Sequence, residues 1–307
     1  MLSFLEALLG STLDALPALV FAALAAVVCE RAGVINIGVE GMMRVGAFVA
    51  AVAALGMPTP WAILVGMAAG SAFAGIHALL CLRLRADQVV SGMALNLVAL
   101  AGGTFLLESL FSPSGTPPIA MLPRWNLPGV QTLPLLRSLS GHSGLSYLAL
   151  VAPFVLQALL FRTPWGLRLR SVGEKPAAAA TLGLSVLRIR TVAVLLSGVL
   201  AALGGAALST SILDRFEHHM PAGLGFMALA AMVFGRWSPL GAFGAALFFT
   251  GANALRIGLT SSAPKLLDVI PQGVLLALPY ALTLGVLAFQ RKKSQAPAGL
   301  GIPFVGR

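Results

Sequence analysis

The chain has 307 residues, 58% hydrophobic and only 10% charged, with 20 Lys and Arg against 10 Asp and Glu, and its mean hydropathy is +0.93. These values exclude a soluble domain and describe a polytopic integral membrane protein. A net charge of +10 would point to nucleic acid only if the basic residues clustered with interleaved aromatics; here they punctuate apolar runs, which excludes that partner.

Nine apolar segments follow one another, at residues 13–28, 42–55, 61–82, 88–111, 145–161, 191–213, 224–234, 240–255 and 266–289. A helix needs about 20 residues to cross the hydrocarbon core, so the second and seventh are too short to cross unaided and are read as interrupted helices. The predicted fold is therefore all-α, one transmembrane domain over residues 1–307 with about nine transmembrane helices. Asp87 opens DQVVSGMALNL at the start of the fourth segment and Asp268 opens DVIPQGVLLAL in the ninth, sharing Asp, Gly and two Leu in one register. The two short segments are likewise the second of segments one to four and of six to nine. This is a weak inverted repeat, and short segments at matching places in inverted halves point to a transport site near the midplane.

The positive-inside rule sets the orientation. With the 162–190 loop in the cytoplasm, alternation puts on that side all of the 20 Lys and Arg except Arg124, Arg137, Arg215, Arg256 and Lys265. The C-terminus is then cytoplasmic, and the N-terminus and the Pro-rich 112–144 loop are outside. Glu6 and the lack of a basic leader argue against a removable signal peptide.

The stretch 29–45, CERAGVINIGVEGMMRV, places Glu30, Arg31, Asn36, Glu40 and Arg44 between two apolar runs. Polar or non-helical backbone is tolerated in a membrane only where protein or a water-filled cavity satisfies it. The stretch is read as a broken helix lining a translocation route, the alternative being a polar turn at the surface with Glu40 and Arg44 as an i, i+4 pair. Asn96, inside the fourth segment, serves either an interhelical hydrogen bond or contact with solute.

In the 162–190 loop, Pro176 starts a helix, four alanines propagate it and Gly183 ends it, giving about seven residues flanked by basic arms. So short a helix is marginal in water and is explained by docking into a partner's groove; otherwise the loop is a basic surface for lipid headgroups. The two cysteines, Cys29 and Cys81, fit neither a disulfide framework nor a metal site. His218 and His219, with Asp214 and Glu217, lack a four-ligand pattern and read as a solvated outer loop, and Glu108 as a headgroup-level acid.

ERAGVINIGVEGMM, TPWGLRLRSVGEKPAAAA followed by TLGLS, and GLGFMALAAMVFGRWSPLGA together resemble the permease subunits of bacterial ABC importers for nucleosides and simple sugars, within the family that includes branched-chain amino-acid permeases. The motifs run from residue 30 to residue 242, most of the chain. The resemblance implies a multi-pass protein of the bacterial cytoplasmic (inner) membrane, working with an ABC ATPase, a second related permease as heterodimer partner and an extracytoplasmic substrate-binding lipoprotein. It implies coupling to the ATPase through Gly173, Glu174, Lys175, Pro176, Ala178, Ala179 and Gly183. Ala177, Ala178, Ala179 and Gly183 take the spacing of the family's EAA-x3-G element; its acidic first position is Ala177 here, and no salt bridge is carried over to it. The substrate pathway is assigned to Asn36, Glu40, Gly41 and Asn96.

No G-x4-G-K-[ST] occurs, so ATP hydrolysis is expected in a separate subunit and no cofactor or metal in this one. A neutral nucleoside suits amides and hydroxyls on small-residue walls, as a simple sugar does. An ion-coupled secondary transporter, the rival class, would need a relay of intramembrane ionisable groups. Outside 29–45 the apolar cores offer only His77.

Overall fold

The computed structural model describes residues 2–112, 114–127, 129, 136–262 and 296–304. Its helices are α1 (Leu2–Arg31), α2 (Val39–Ala54), α3 (Thr59–Ala78), α4 (Gln88–Leu110), α5 (Gly144–Arg162), α6 (Pro164–Glu174), α7 (Pro176–Thr181), α8 (Val186–Ala207), α9 (Leu224–Phe234) and α10 (Pro239–Ser262). Two π-turns, Leu79–Arg83 and Leu208–Ile212, extend α3 and α8. Two-residue strands β1 (Arg124–Trp125) and β2 (His142–Ser143) pair antiparallel in the 112–144 loop.

The first eight apolar segments are helices at the expected places. The ninth, with the second copy of the Asp87 motif and the basic run at Arg291, lies outside the described residues. Six helical stretches among the described residues are long and apolar enough to cross a membrane. By contrast α2 has 16 residues and α9 has 11, and each follows a non-helical segment, 32–38 and 213–223. The breaks therefore fall where the short segments predicted them.

The bundle is built around α1. Every residue from 16 to 30 is buried, and a helix apolar on all sides is one that others enclose. Here α8, α10, α9 and α5 surround it. Lipid is as apolar as leucine, so helices in a membrane associate through close backbone approach at small residues. A Cβ on Gly205 would overlap the Met43 carbonyl, and one on Gly70 would overlap Ala202 and lie 2.8 Å from the Gly198 carbonyl. These contacts draw α2, α3 and α8 together. At the periphery, α4 exposes Val90, Met93, Leu97, Val98, Phe105 and Leu110, the surface expected to meet lipid.

The single short helix expected in the 162–190 loop has a companion, which corrects the reading of a basic arm before Pro176. Thr163 accepts from Gly166 N–H at 3.2 Å and Pro164 stands at the first helical position, so α6 begins there. The expected helix is α7, followed by Gly183 at φ +80°.

At the opposite end the 112–144 loop is latched to α1. His142 Nδ1 lies 2.7 Å from Asp14 Oδ1 and Nε2 lies 2.6 Å from the Ser138 carbonyl. Both partners accept, so the ring that fits donates from both nitrogens and is the imidazolium. The hydrogen bond to Asp14 accordingly raises the His142 pKa above the ordinary histidine value. The stabilisation is complete below about pH 6.5, the unfolded-state value, and is lost as pH rises through the raised folded value. The thermal midpoint of the purified protein is expected to fall more steeply with rising pH above that point in the wild type than in Asp14→Asn. Equal slopes would contradict the latch.

Candidate functional site

Residues 32–38 are non-helical, yet Ala32, Gly33, Val34, Asn36 and Gly38 are buried. Buried backbone polar groups need partners, and polar side chains of α3 and α4 supply several of them. Ile35 N–H donates to Gln88 Oε1 at 2.7 Å, and His77 Nε2 lies 3.0 Å from the Ile35 carbonyl. His77 Nδ1 is 3.0 Å from Ser91 Oγ; a neutral ring donating from Nε2 and accepting at Nδ1 satisfies both contacts. Asn96 bridges the break: Nδ2 donates to the Ile37 carbonyl at 3.0 Å and Oδ1 accepts from Gly41 N–H at 2.8 Å. Its amide is thus committed to the backbone of the broken segment, and Gly41 packs against it.

The four charged residues of 29–45 all reach one other region, the half-helix α9 with its flanks. Glu40 Oε1 and Oε2 accept from the N–H groups of Gly223 and Gly225, at 2.7 and 2.6 Å. A carboxylate at a helix N-terminus meets unsatisfied donors and the positive end of the dipole. Gly225 permits the approach, since a Cβ there would lie 2.6 Å from Glu40 Cα. One turn on, Arg44 donates to the carbonyls of Met220 at 2.6 Å and His218 at 2.8 Å, and to Thr104 Oγ1 at 3.2 Å, with its guanidinium 5.5 Å from the centre of the Phe216 ring. The alternative of a Glu40–Arg44 pair at the surface is not what these groups form.

The far end of α9 is held by the end of α1. Trp237 Nε1 donates to Glu30 Oε2 at 2.6 Å, and Arg31 donates to the carbonyls of Trp237 at 2.6 Å and Arg236 at 3.2 Å. Arg236 and Trp237 have φ of +57° and +52°, left-handed positions that non-glycine residues occupy at a cost and that this grip stabilises. The partners of Glu30 and Arg31 were not named from sequence; the Arg236–Trp237 pair next to Ser238 and Pro239 was the available turn signal.

Asn36 is the group left over. It has no exposed surface, and its Nδ2 donates to Ser197 Oγ at 2.9 Å. Its Oδ1 is buried without a hydrogen-bond partner. An α9 of 11 residues is about 16 Å long, roughly half the hydrocarbon thickness, and so too short to cross it alone.

The 162–190 residues divide by face. Glu174, Lys175 and Ala178 are exposed, as is Leu182, whereas Ala179 packs inward with Val172 and Val186. The Gly173 carbonyl accepts from Gly299 N–H at 2.8 Å, and Pro176 opens α7. At the other end Glu108, Ser114, Glu217, His218 and His219 line a cavity of about 400 Å³, which places Glu108 beside the histidines. Among the described residues no group of three or more His, Cys, Asp and Glu could hold a metal ion.

Replacing Glu40 by Gln removes the charge and turns an N–H donor toward N–H donors. A hydrogen bond to a charged group contributes about 1.5–3 kcal/mol. Glu40→Gln is expected to lower the unfolding midpoint accordingly and to speed hydrogen exchange at Gly223 and Gly225; unchanged exchange there would remove the clamp.

Residues 8–279 match the family described as branched-chain amino acid transport system / permease component. The guanosine ABC transporter permease protein NupQ of Bacillus subtilis is 39% identical, over 98% of this chain and 97% of its own. The nucleoside ABC transporter permease protein NupC of Lactococcus lactis is 38% identical, over 94% and 93%. A putative glucose ABC transporter permease protein of Haloferax volcanii is 34% identical, over 94% and 92%. No solved structure matches the chain. With a family match across most of its length and relatives this similar from end to end, the chain belongs to the branched-chain amino acid transport permease family and is a multi-pass membrane protein.

Proposed function

We propose that the chain is the membrane-spanning permease of an ATP-driven importer for nucleosides, forming half of the translocation pathway. The observation that carries this reading is full-length likeness to permeases named for guanosine and for nucleosides, at 39% and 38% identity. The chemistry of the break agrees with it. Every charge of 29–45 is tied to the 218–238 region, so the solute is offered neutral polar groups: the unpartnered Asn36 Oδ1, with Gly38 beside it, and the Ser197 hydroxyl. These suit a neutral solute with hydroxyl and ring N–H donors. Glu40, Gly41 and Asn96 hold the segment in place, and Asn36 makes the contact when the segment moves.

The protein lies in the bacterial cytoplasmic membrane, with α6, α7 and the C-terminus in the cytoplasm and the N-terminus and 112–144 loop outside. An ABC ATPase docks on the exposed side of α6 and α7, where Lys175, Ala178 and Leu182 face away from the bundle and Glu174 is exposed while accepting from Ala298 N–H. Gly173, Pro176, Ala179 and Gly183 shape that surface from behind. A second, related permease completes the pathway as a heterodimer, and an extracytoplasmic lipoprotein delivers the solute. ATP hydrolysis belongs to the ATPase, and this chain uses no cofactor.

The glucose-permease relative makes a simple sugar the second reading. Vesicles containing the complete complex are expected to accumulate labelled guanosine in an ATP-dependent way, with unlabelled nucleosides competing and glucose not. Glucose uptake with no nucleoside uptake would overturn the substrate assignment in favour of the sugar. A membrane-impermeant thiol reagent is expected to modify Ser114→Cys but not Leu182→Cys in intact cells, and the reverse pattern would invert the orientation.

A further inference from the structure

Residues 296–304 lie between the α6–α7 hairpin and the break after α1, bonded to both. On one side Gly299 N–H donates to the Gly173 carbonyl at 2.8 Å and Ala298 N–H to Glu174 Oε2 at 3.1 Å. Phe304 packs on the cluster of Val172, Ala179 and Val186. On the other side Gly301 N–H donates to the Gly33 carbonyl at 3.2 Å. The fit against α6 and α7 admits no side chain at residue 299: a Cβ there would lie 2.6 Å from the Gly173 carbonyl and 3.0 Å from Pro176 Cδ.

Arg190, at the start of α8, grips this arrangement. It has no exposed surface, and its described hydrogen bonds all go to main-chain carbonyls. Nε donates to Ala32 at 3.2 Å, Nη1 to Ile302 at 2.8 Å and Nη2 to Gly299 at 3.2 Å. A planar guanidinium fixes three acceptors in one geometry, which the point charge of a lysine does not. One side chain therefore joins α8, the first residue of the break and both ends of the tail turn. Four residues beyond Ala32 is Asn36.

We infer that residues 297–302, held by Arg190, are a relay that makes the α6–α7 hairpin and the 32–38 break move as one body. The inference rests on the reading of α6–α7 as the ATPase docking face. A displacement imposed there by nucleotide reaches Gly33 through the tail and Ala32 through Arg190. Arg190 is thus a positioning residue for the solute-facing segment, acting through the main chain and not by touching solute. Gly173 also packs directly against the Arg31 carbonyl and Gly33; this contact adds to the path but, among the described residues, carries no hydrogen bond across it.

Hydrogen exchange on the complete complex, with and without a non-hydrolysable ATP analogue, tests the relay. In the wild type the analogue is expected to change exchange in both 164–181 and 31–41, the latter by about ten-fold, the size of an ordinary coupling free energy. In Gly299→Val and in Arg190→Lys it should still change 164–181 while 31–41 no longer follows, and hydrolysis should continue with uptake per ATP reduced. Gly102→Ala, at a position with open space around it, should behave as the wild type. Should Gly299→Val fail to assemble, Arg190→Lys decides alone. An equal response of 31–41 in wild type and variants overturns the relay and leaves the docking face standing. No response of 164–181 in the wild type overturns the docking face, and the relay with it.

Discussion

Charge buried in a membrane must be paired or hydrogen-bonded, and this fold meets that demand by tying four charged side chains of one broken helix to one half-helix. Glu40 takes the N-terminal N–H groups of α9 and Arg44 the carbonyls just before them; Glu30 and Arg31 take the indole and carbonyls just after its end. Sign and backbone polarity agree at each point, since the anion at the start of α9 meets N–H donors and the cations meet carbonyl oxygens. A helix of three turns is marginal by itself. Here it is held at both ends, by Glu40 at its start and by Glu30 and Arg31 beyond its end.

The same arrangement accounts for why a chain with charges beside its break suits a neutral solute. With the charges committed to α9 and the backbone of 35, 37 and 41 committed to Gln88, His77 and Asn96, little remains to attract an ion. A proton- or ion-coupled mechanism would need titratable groups facing the route; here both ring nitrogens of His77 are taken up by Ser91 Oγ and the Ile35 carbonyl, and Glu40 accepts from Gly223 and Gly225. Asn36 is instead left with an open acceptor inside the bundle. Close packing of α2, α3 and α8 at glycine and alanine gives the break stiff walls, which supports the proposal that α6 and α7 drive its displacement.

Periodicity and length made the helices legible, because a membrane leaves a chain few other ways to satisfy its backbone. The short second and seventh segments disclosed the two breaks for the same reason. What Glu30, Arg31, Glu40 and Arg44 bind was not legible, since their hydrogen-bond partners, Thr104 excepted, lie more than 170 residues further along the chain and are mostly backbone atoms, which carry no residue-type signal. The charges alone fitted a hydrated route as well as a clamp. Thr163–Pro164 did carry a helix-start signal for α6 that the basic residues around it obscured. The buried Arg190 looked like one more positive-inside residue, because nothing local distinguishes an arginine facing headgroups from one facing three carbonyls.

On the proposed function, the segment around Asn36 faces the solute when the clamped unit moves. Thiol reactivity of Asn36→Cys, with Cys29 and Cys81 replaced by alanine, measures this directly in vesicles containing the complete complex. The account predicts a cysteine inert to a small polar thiol reagent in the resting complex, reactive during ATP turnover, and protected when guanosine is present at saturating concentration. A cysteine equally inert in all three conditions, or one whose reactivity in turnover ignores guanosine, would contradict it.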